Sequence, residues 1–425
     1  TDPAGVVTTY AYDTADRVDY VDYNYASSGL TGPDRIDYTY DDMDRITSAK
    51  TQDYVSMSYT DLISVTRAYN GFGEMDSETQ HGGHTIAYTH FENGAVKTIT
   101  YPSGGPVVGV EYLLDDNGRI DSVKRKLSTD VEGISTSTWE TTAEFEYAGH
   151  REYERSQTLY DLVRVQTYTS FGEPDELTYK EASSSTLLSG LDSDWDDAGR
   201  MVVRERMHDE SGGTEMGEAF RYDDMGRLVT MWRELESPHS WTATDPTAAT
   251  ANFQDKVAYT IGKVYERDDV TITPEAGTPV ESIPVSLNSL YQTTSHDGNT
   301  LTWDTNGQLT DYGTTKDFVW NGQGQLIEAQ ISGQTDREYD YDAFGRRVST
   351  TVGSQVNEFL YHGWHMVGEW DDNAGEWLWQ EIPMRRGERM LEHIALDTND
   401  LDSDTDTTEY RPYAVHEDFQ STVWG

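Results

Sequence analysis

The sequence predicts an all-β protein: a long, spiralling antiparallel sheet of tandem hairpins forming a shell or tube wall. Three observations predict it. The pattern aromatic-x-aromatic-Asp-x-x-Gly-Arg-hydrophobic recurs along the chain. Hydrophobic residues make up only 35%, so the 28 Tyr and 11 Trp carry much of the apolar mass, and such amphipathic rings suit half-buried strands better than helices. Many of the 36 glycines sit three residues after an Asp or Asn, where a tight turn needs them.

The repeat is clearest at Tyr222-Asp223-Asp224-Met225-Gly226-Arg227-Leu228, at Tyr341-Asp342-Ala343-Phe344-Gly345-Arg346-Arg347-Val348 and at Trp195-Asp196-Asp197-Ala198-Gly199-Arg200-Met201. Two early copies, Asp13 to Arg17 and Asp41 to Arg45, carry Asp16 and Asp44 in place of glycine. Weaker copies keep the glycine and lose the arginine at Gly73, Gly94, Gly172, Gly307, Gly324 and Gly375, and Gly118 keeps Arg119 after Leu114-Asp115. Long gaps from 118 to 172 and from 226 to 307 have room for degenerate copies. Aromatic-x-aromatic places both rings on one face of a strand. Asp accepts backbone N–H groups at the start of a tight turn. Glycine three residues on supplies the positive φ of a type I turn closed by a G1 bulge, and Asp is a fair second choice there. Arginine then lies across an aromatic ring or pairs with the turn Asp, at about 0.5–2 kcal/mol per contact. One hairpin is marginal alone, so each relies on its neighbours for burial.

Along the chain, residues 1–232 form the first repeat array. Residues 233–300 lose the pattern and carry Pro238, Pro246, Pro274, Pro279 and Pro284. Strands are expected over 257–261 and 270–273, a short helix over 245–251, and the whole stretch is read as a divergent or decorated part of the same sheet, with a separate domain as the alternative. Residues 301–378 resume the array, and residues 379–425 carry an acidic loop and a terminal strand segment.

The charge balance excludes several partners. There are 77 acidic against 31 basic residues, a net charge of −46, which repels nucleic acid and anionic membrane. No transmembrane run is present, so membrane insertion is not expected. The acidic surface is solvated and resists aggregation, with a calcium-rich or saline setting as the sharper reading. Without cysteine there are no disulfides, thiolate catalysis or Cys-based zinc sites.

The strongest metal-like stretch is Asp397 to Asp406, in which Asp402, Asp404 and Asp406 alternate as calcium ligands would. Neither EF-hand frame fits it: counting from Asp397 puts Asp402 where glycine belongs. Calcium is therefore the one cofactor entertained, and a solvated acidic loop competes with it. His81, His84 and His90, and His362 with His365, lie close in sequence, and hairpin-turn histidines account for them better than zinc. The pairs Asp115-Asp116, Asp196-Asp197 and Asp223-Asp224 read as turn caps rather than glycosidase carboxylates. There is no nucleophile elbow, phosphate loop or dinucleotide fingerprint, so no enzyme is expected.

These motifs resemble the RHS or YD-repeat family over nearly the whole chain. Gly298 to Asp304 with Tyr341 to Arg346 is similar to the late part of an RHS core, and the stretch from Phe359 through Asp397 to Asp418 to the segment before its end. The resemblance implies a β-sheet cocoon, related to the Tc-toxin cocoon, which encloses an effector, and to the teneurin shell, which belongs to an adhesion protein. An aspartyl autoprotease closes the core in toxin members. Asp2-Pro3-Ala4-Gly5 is superficially similar to its Asp-Pro-x-Gly element, but repeat sequence follows it at once and it is read as a turn. The chain is thus expected to be a fragment lacking the C-terminal autoprotease: a structural wall, extracellular or at a bacterial surface, with self-assembly or an encapsulated effector as partner. Carbohydrate binding or cell adhesion through the aromatic faces is the alternative.

Overall fold

The computed structural model describes residues 1–129, 131, 137–149, 151–208, 216–241, 245, 252–261, 267–274, 281–384, 390–397 and 409–415. It is all-β, as expected. Successive strands pair antiparallel, as Val7–Tyr12 does with Val18–Asn24 and Arg35–Tyr40 with Ile46–Val55. The helical pieces among the described residues are three single 3-10 turns, His81–Gly83, Thr158–Tyr160 and Pro238–Trp241. Alternation explains the strands. In Ile46–Val55, Ala49 and Thr51 are buried while Lys50 and Gln52 point outward to Asp61 on the partner strand. Outward threonines pair across strands, Thr79 with Thr85 at 2.8 Å and Thr89 with Thr98 at 2.6 Å.

The chain divides into two compact units. The first comprises Thr1–Glu140 and Thr302–Val415. Its two strand series share one interior, holding Ala49, Ile86, Ile99, Val110, Tyr112, Leu360, Val367, Trp377 and Ile394. Side chains of one series satisfy the backbone of the other. Gln80 Nε2 donates to the Tyr361 carbonyl at 2.6 Å, and Gln80 Oε1 accepts the Tyr361 N–H at 2.9 Å. Gln380 Oε1 accepts the Val107 N–H, and the Tyr101 and Tyr112 hydroxyls donate to the carbonyls of Glu381 and Pro383. Buried backbone groups need partners, and these amides and phenols supply them where no strand neighbour can.

The second unit is built on Thr141–Leu301. Ala219, Trp232, Leu235 and Phe253 form one apolar cluster in it, with Trp241 packed against it. Buried Arg164 pairs with Glu152 at 2.9 Å, and buried Arg155 reaches the Tyr179 hydroxyl. Within residues 233–300, Leu228–Glu236 pairs with Asp255–Ile261, that strand with Arg267–Pro274, and that with Glu281–Leu287. Of the short helix expected over 245–251, only Asp245 lies among the described residues.

Candidate functional site

The repeated unit is the chemical centre of this molecule, and the turn at Asp41 shows how the sequence makes it. The Asp41 N–H donates to the Arg45 carbonyl at 3.0 Å, and the Asp44 N–H donates to the Asp41 carbonyl at 3.2 Å. Asp41 Oδ1 accepts the N–H groups of Met43 and Arg45, and Oδ2 accepts Arg45 Nε at 2.6 Å. One carboxylate thus satisfies two turn amides and holds the arginine. These bonds depress its pKa, with the Arg45 side chain the largest cause. Asp13, Asp115, Asp196, Asp223 and Asp342 repeat the arrangement, with Oδ2 to Nε distances of 2.6–2.8 Å. All twelve turn positions named from the sequence, from Asp16 (φ 61°) to Gly375 (φ 74°), have positive φ.

Copies without arginine keep the same geometry with other donors. Asn70 Oδ1 accepts two turn amides, and its Nδ2 donates to Glu74 at 2.7 Å. Asn321 does the same toward Gln325 at 2.8 Å. A donor and an acceptor have exchanged ends: Asp with Arg becomes Asn with Glu or Gln. This exchange was readable in the sequence, and it uncovers one copy inside the second long gap. Asn288 caps Leu290 and Gln292, with Tyr291 at φ 61°. The opening Asp2 also caps such a turn, accepting the Val6 N–H at 2.7 Å, as its reading as a turn requires.

Each unit is stitched to the next. The Arg17 guanidinium lies 4.6 Å from the Tyr40 ring centroid and donates to the Asp41 carbonyl and to Asp44. The Tyr40 hydroxyl donates back to the Val18 carbonyl at 2.8 Å. Arg45 with Tyr69, Arg151 with Tyr168, Arg200 with Tyr222 and Arg346 with Tyr361 repeat the pairing at 4.5–5.3 Å. Trp195 and Trp320 replace the phenol by an indole N–H, donating to the carbonyls of Pro174 and Leu309. At Tyr40, Tyr69, Tyr168, Trp195, Tyr222, Trp320 and Tyr341 the aromatic that begins the motif is therefore a hydrogen-bond donor to the preceding unit as well as a hydrophobic side chain.

Inside the first unit the stitching becomes a buried ionic network. Arg346 pairs with Asp342 and with Glu78, both at 2.8 Å, and Arg67 takes the other Glu78 oxygen at 2.7 Å. Arg125 pairs with fully buried Glu392. His81 and His84 both face Glu358, at 3.3 Å each, and His84 packs on Trp370 and Trp377. Burial would raise the Glu358 pKa, but the two imidazoles outweigh it and lower it. Gly82, between those histidines, has φ 70°, and a Cβ there would stand 2.0 Å from Glu358 Oε2. In the second unit His239 sits against Asp194 at 2.7 Å and against Asp192 and Glu205 at 3.5 Å.

The sequence candidates distribute as follows. Asp402, Asp404 and Asp406 lie outside the described residues. His81 and His84 share a carboxylate, His90 faces Glu74 at 3.7 Å, and His362 meets the Tyr88 hydroxyl at 3.2 Å. Among the described residues no three His, Asp or Glu side chains are grouped to hold a metal ion. Asp115, Asp196 and Asp223 cap turns, while Asp116, Asp197 and Asp224 are exposed beside them. No described helix is long and apolar enough to cross a membrane.

Fold and site together define a class: an all-β repeat protein whose recurring polar residues bind strand to strand. No protein-family model matches the chain, and no curated protein does. Among solved structures it is similar to the pore of the Photorhabdus luminescens Tc holotoxin, with TM-score 0.68 over 99% of this chain at 13% identity. It is also similar to TcdB2-TccC3-Cdc42 (0.62, 99%, 11%) and to TcdB2-TccC3 without its hypervariable C-terminal region (0.61, 99%, 10%). The chain spans 22% of each of those longer chains. At these identities the likeness is one of fold.

Proposed function

We propose that this chain is a wall segment of an extracellular β-shell of the RHS or YD-repeat kind, with a structural and not a catalytic role. The stitching between units carries the reading. Its Asp, Gly and Arg residues are occupied by turn geometry, and most of the motif aromatics tie their hairpin to the one before. Contacts of this kind extend a wall from unit to unit, because each repeat is stabilised mainly by its neighbours. The fold likeness to Tc-toxin structures supports the same reading. A shell of this class encloses an effector or assembles with copies of itself, and the acidic surface suits an extracellular setting where calcium at Asp402, Asp404 and Asp406 would be available.

Cryo-electron microscopy of the purified chain tests the reading. Curved walls or hollow particles are the expected result. A solid particle without a curved sheet overturns it, and extended filaments move the role from encapsulation to a surface appendage. A second reading, glycan adhesion, has one observation in its favour: Trp364, at a hairpin tip, is 70% exposed.

A further inference from the structure

The second unit carries a segment that packs on its strands without joining the ladder. Pro238–Trp241 is a single 3-10 turn laid against Met201–His208 and Met216–Tyr222, with Pro238 buried. Its entry is strained: Ser237 has φ 47°, a left-handed conformation that costs a serine free energy. Its exit is fastened, because Arg221 donates to the Trp241 carbonyl and pairs with Asp245 at 2.8 Å.

His239 holds the middle of this strap to three carboxylates. Its Nδ1 lies 2.7 Å from Asp194, and its Nε2 lies 3.5 Å from Asp192 and 3.5 Å from Glu205. Asp192 and Glu205 are directly opposed across their strands, an unfavourable arrangement for like charges. Glu205 is only 6% exposed, so salt and water screen it little. Among the described residues neither Asp192 nor Asp194 is paired with a lysine or arginine. The neighbouring charges are committed elsewhere: Glu218 to Arg204 and Arg206, Arg206 also to Glu234, and Arg221 to Asp245. Asp175, on the strand beyond, adds negative charge near Asp192.

We propose that residues 237–240 are a proton-operated strap: clasped to the sheet while both nitrogens of His239 are protonated, and lifted about the Trp241 end, opening Glu205 to solvent, once His239 is neutral. Loss of the Nε2 proton turns a lone pair toward Asp192 and Glu205, and loss of the Nδ1 proton breaks the bond to Asp194. Either loss replaces attraction by repulsion, and the strain at Ser237 then favours release. The carboxylates raise the His239 pKa against the effect of its burial, so the strap is closed below the raised value and opens as pH rises through it. The inference concerns the second unit alone and is independent of the shell reading.

Electron paramagnetic resonance of a spin label on the strap of the full chain tests it. Ser240 is exposed and the chain has no cysteine, so Ser240→Cys gives a single labelled site. The label should be immobile at about pH 5.5 and mobile at about pH 9, through one transition above 6.5. In the labelled chain, His239→Lys, which stays cationic over this range, should hold the label immobile up to about pH 9. His239→Gln should leave it mobile throughout, and Asp192→Asn should move the transition to lower pH. A label whose mobility ignores pH overturns the proposal, as does a transition that persists in His239→Lys. Circular dichroism should stay flat over the same range. Ellipticity lost with the same midpoint would mean that the unit unfolds as a whole, which also overturns the strap. If His239→Lys fails to fold, the shift in Asp192→Asn decides.

Discussion

Arg346 concentrates at one position what the repeat does everywhere. Its guanidinium serves its own turn through Asp342, the next unit through the Gly363 carbonyl, and the opposite strand series through Glu78. Both acidic partners are only 2% exposed. Removing one member of a buried ionic set leaves the others charged and unpaired. Arg346→Ala should therefore cost about 3–5 kcal/mol in urea denaturation, and Arg346→Lys should restore little, because an ammonium cannot reproduce the two-sided fork. At exposed turns such as Asp41–Arg45 the same substitution is screened by solvent and matters less. The motif at 341–348 was legible as a turn, but nothing local distinguished its arginine from the exposed copies. Burial came from Glu78, 268 residues away.

At the scale of the hairpin, most turns were legible because a turn is closed by residues three or four apart. One exception is the connection between Ile46–Val55 and Ser58–Tyr69. Ser56 and Met57 form a two-residue loop with φ 53° and 67°, a conformation that favours Asn-Gly. No glycine or asparagine marks it, so it is hidden in the sequence. Because neither residue is well suited to positive φ, Ser56→Asn with Met57→Gly should stabilise the protein by about 1 kcal/mol. A higher denaturation midpoint and slower amide exchange within 46–69 would confirm it, and an unchanged midpoint would refute the assignment of strain.

Charge acts at the scale of the whole molecule. The net charge of −46 repels itself near neutrality, and local pairings set the pH dependence on top of that repulsion. The Asp41 carboxyl is lowered below its ordinary 3.8 chiefly by the Arg45 side chain, and that of Asp223 chiefly by the Arg227 backbone N–H. Their contribution is present above pH 3.8 and is lost as pH falls through the lowered values. For His239, burial opposes the charge, but the Asp194 hydrogen bond and the carboxylates of Asp192 and Glu205 outweigh it and raise the pKa above 6.5. Its contribution is complete below pH 6.5 and is lost as pH rises through the raised value. Thermal midpoints should therefore be highest in the mildly acidic range between these limits. His239→Gln should flatten the alkaline side of the profile and leave the acid side intact, and an unchanged alkaline side would rule out His239 as its source.

The sequence by itself determined the hairpin unit: alternating strands, an Asp or Asn cap, a residue of positive φ, and an arginine or its amide counterpart. Each is fixed by contacts within about five residues, so one stretch of chain contains the whole argument. Only the tertiary structure decided which repeats are buried and how Gln80 and Gln380 supply backbone partners to distant strands. Those outcomes depend on which strands are brought together from far apart in sequence, and a local, repeating pattern does not encode that choice.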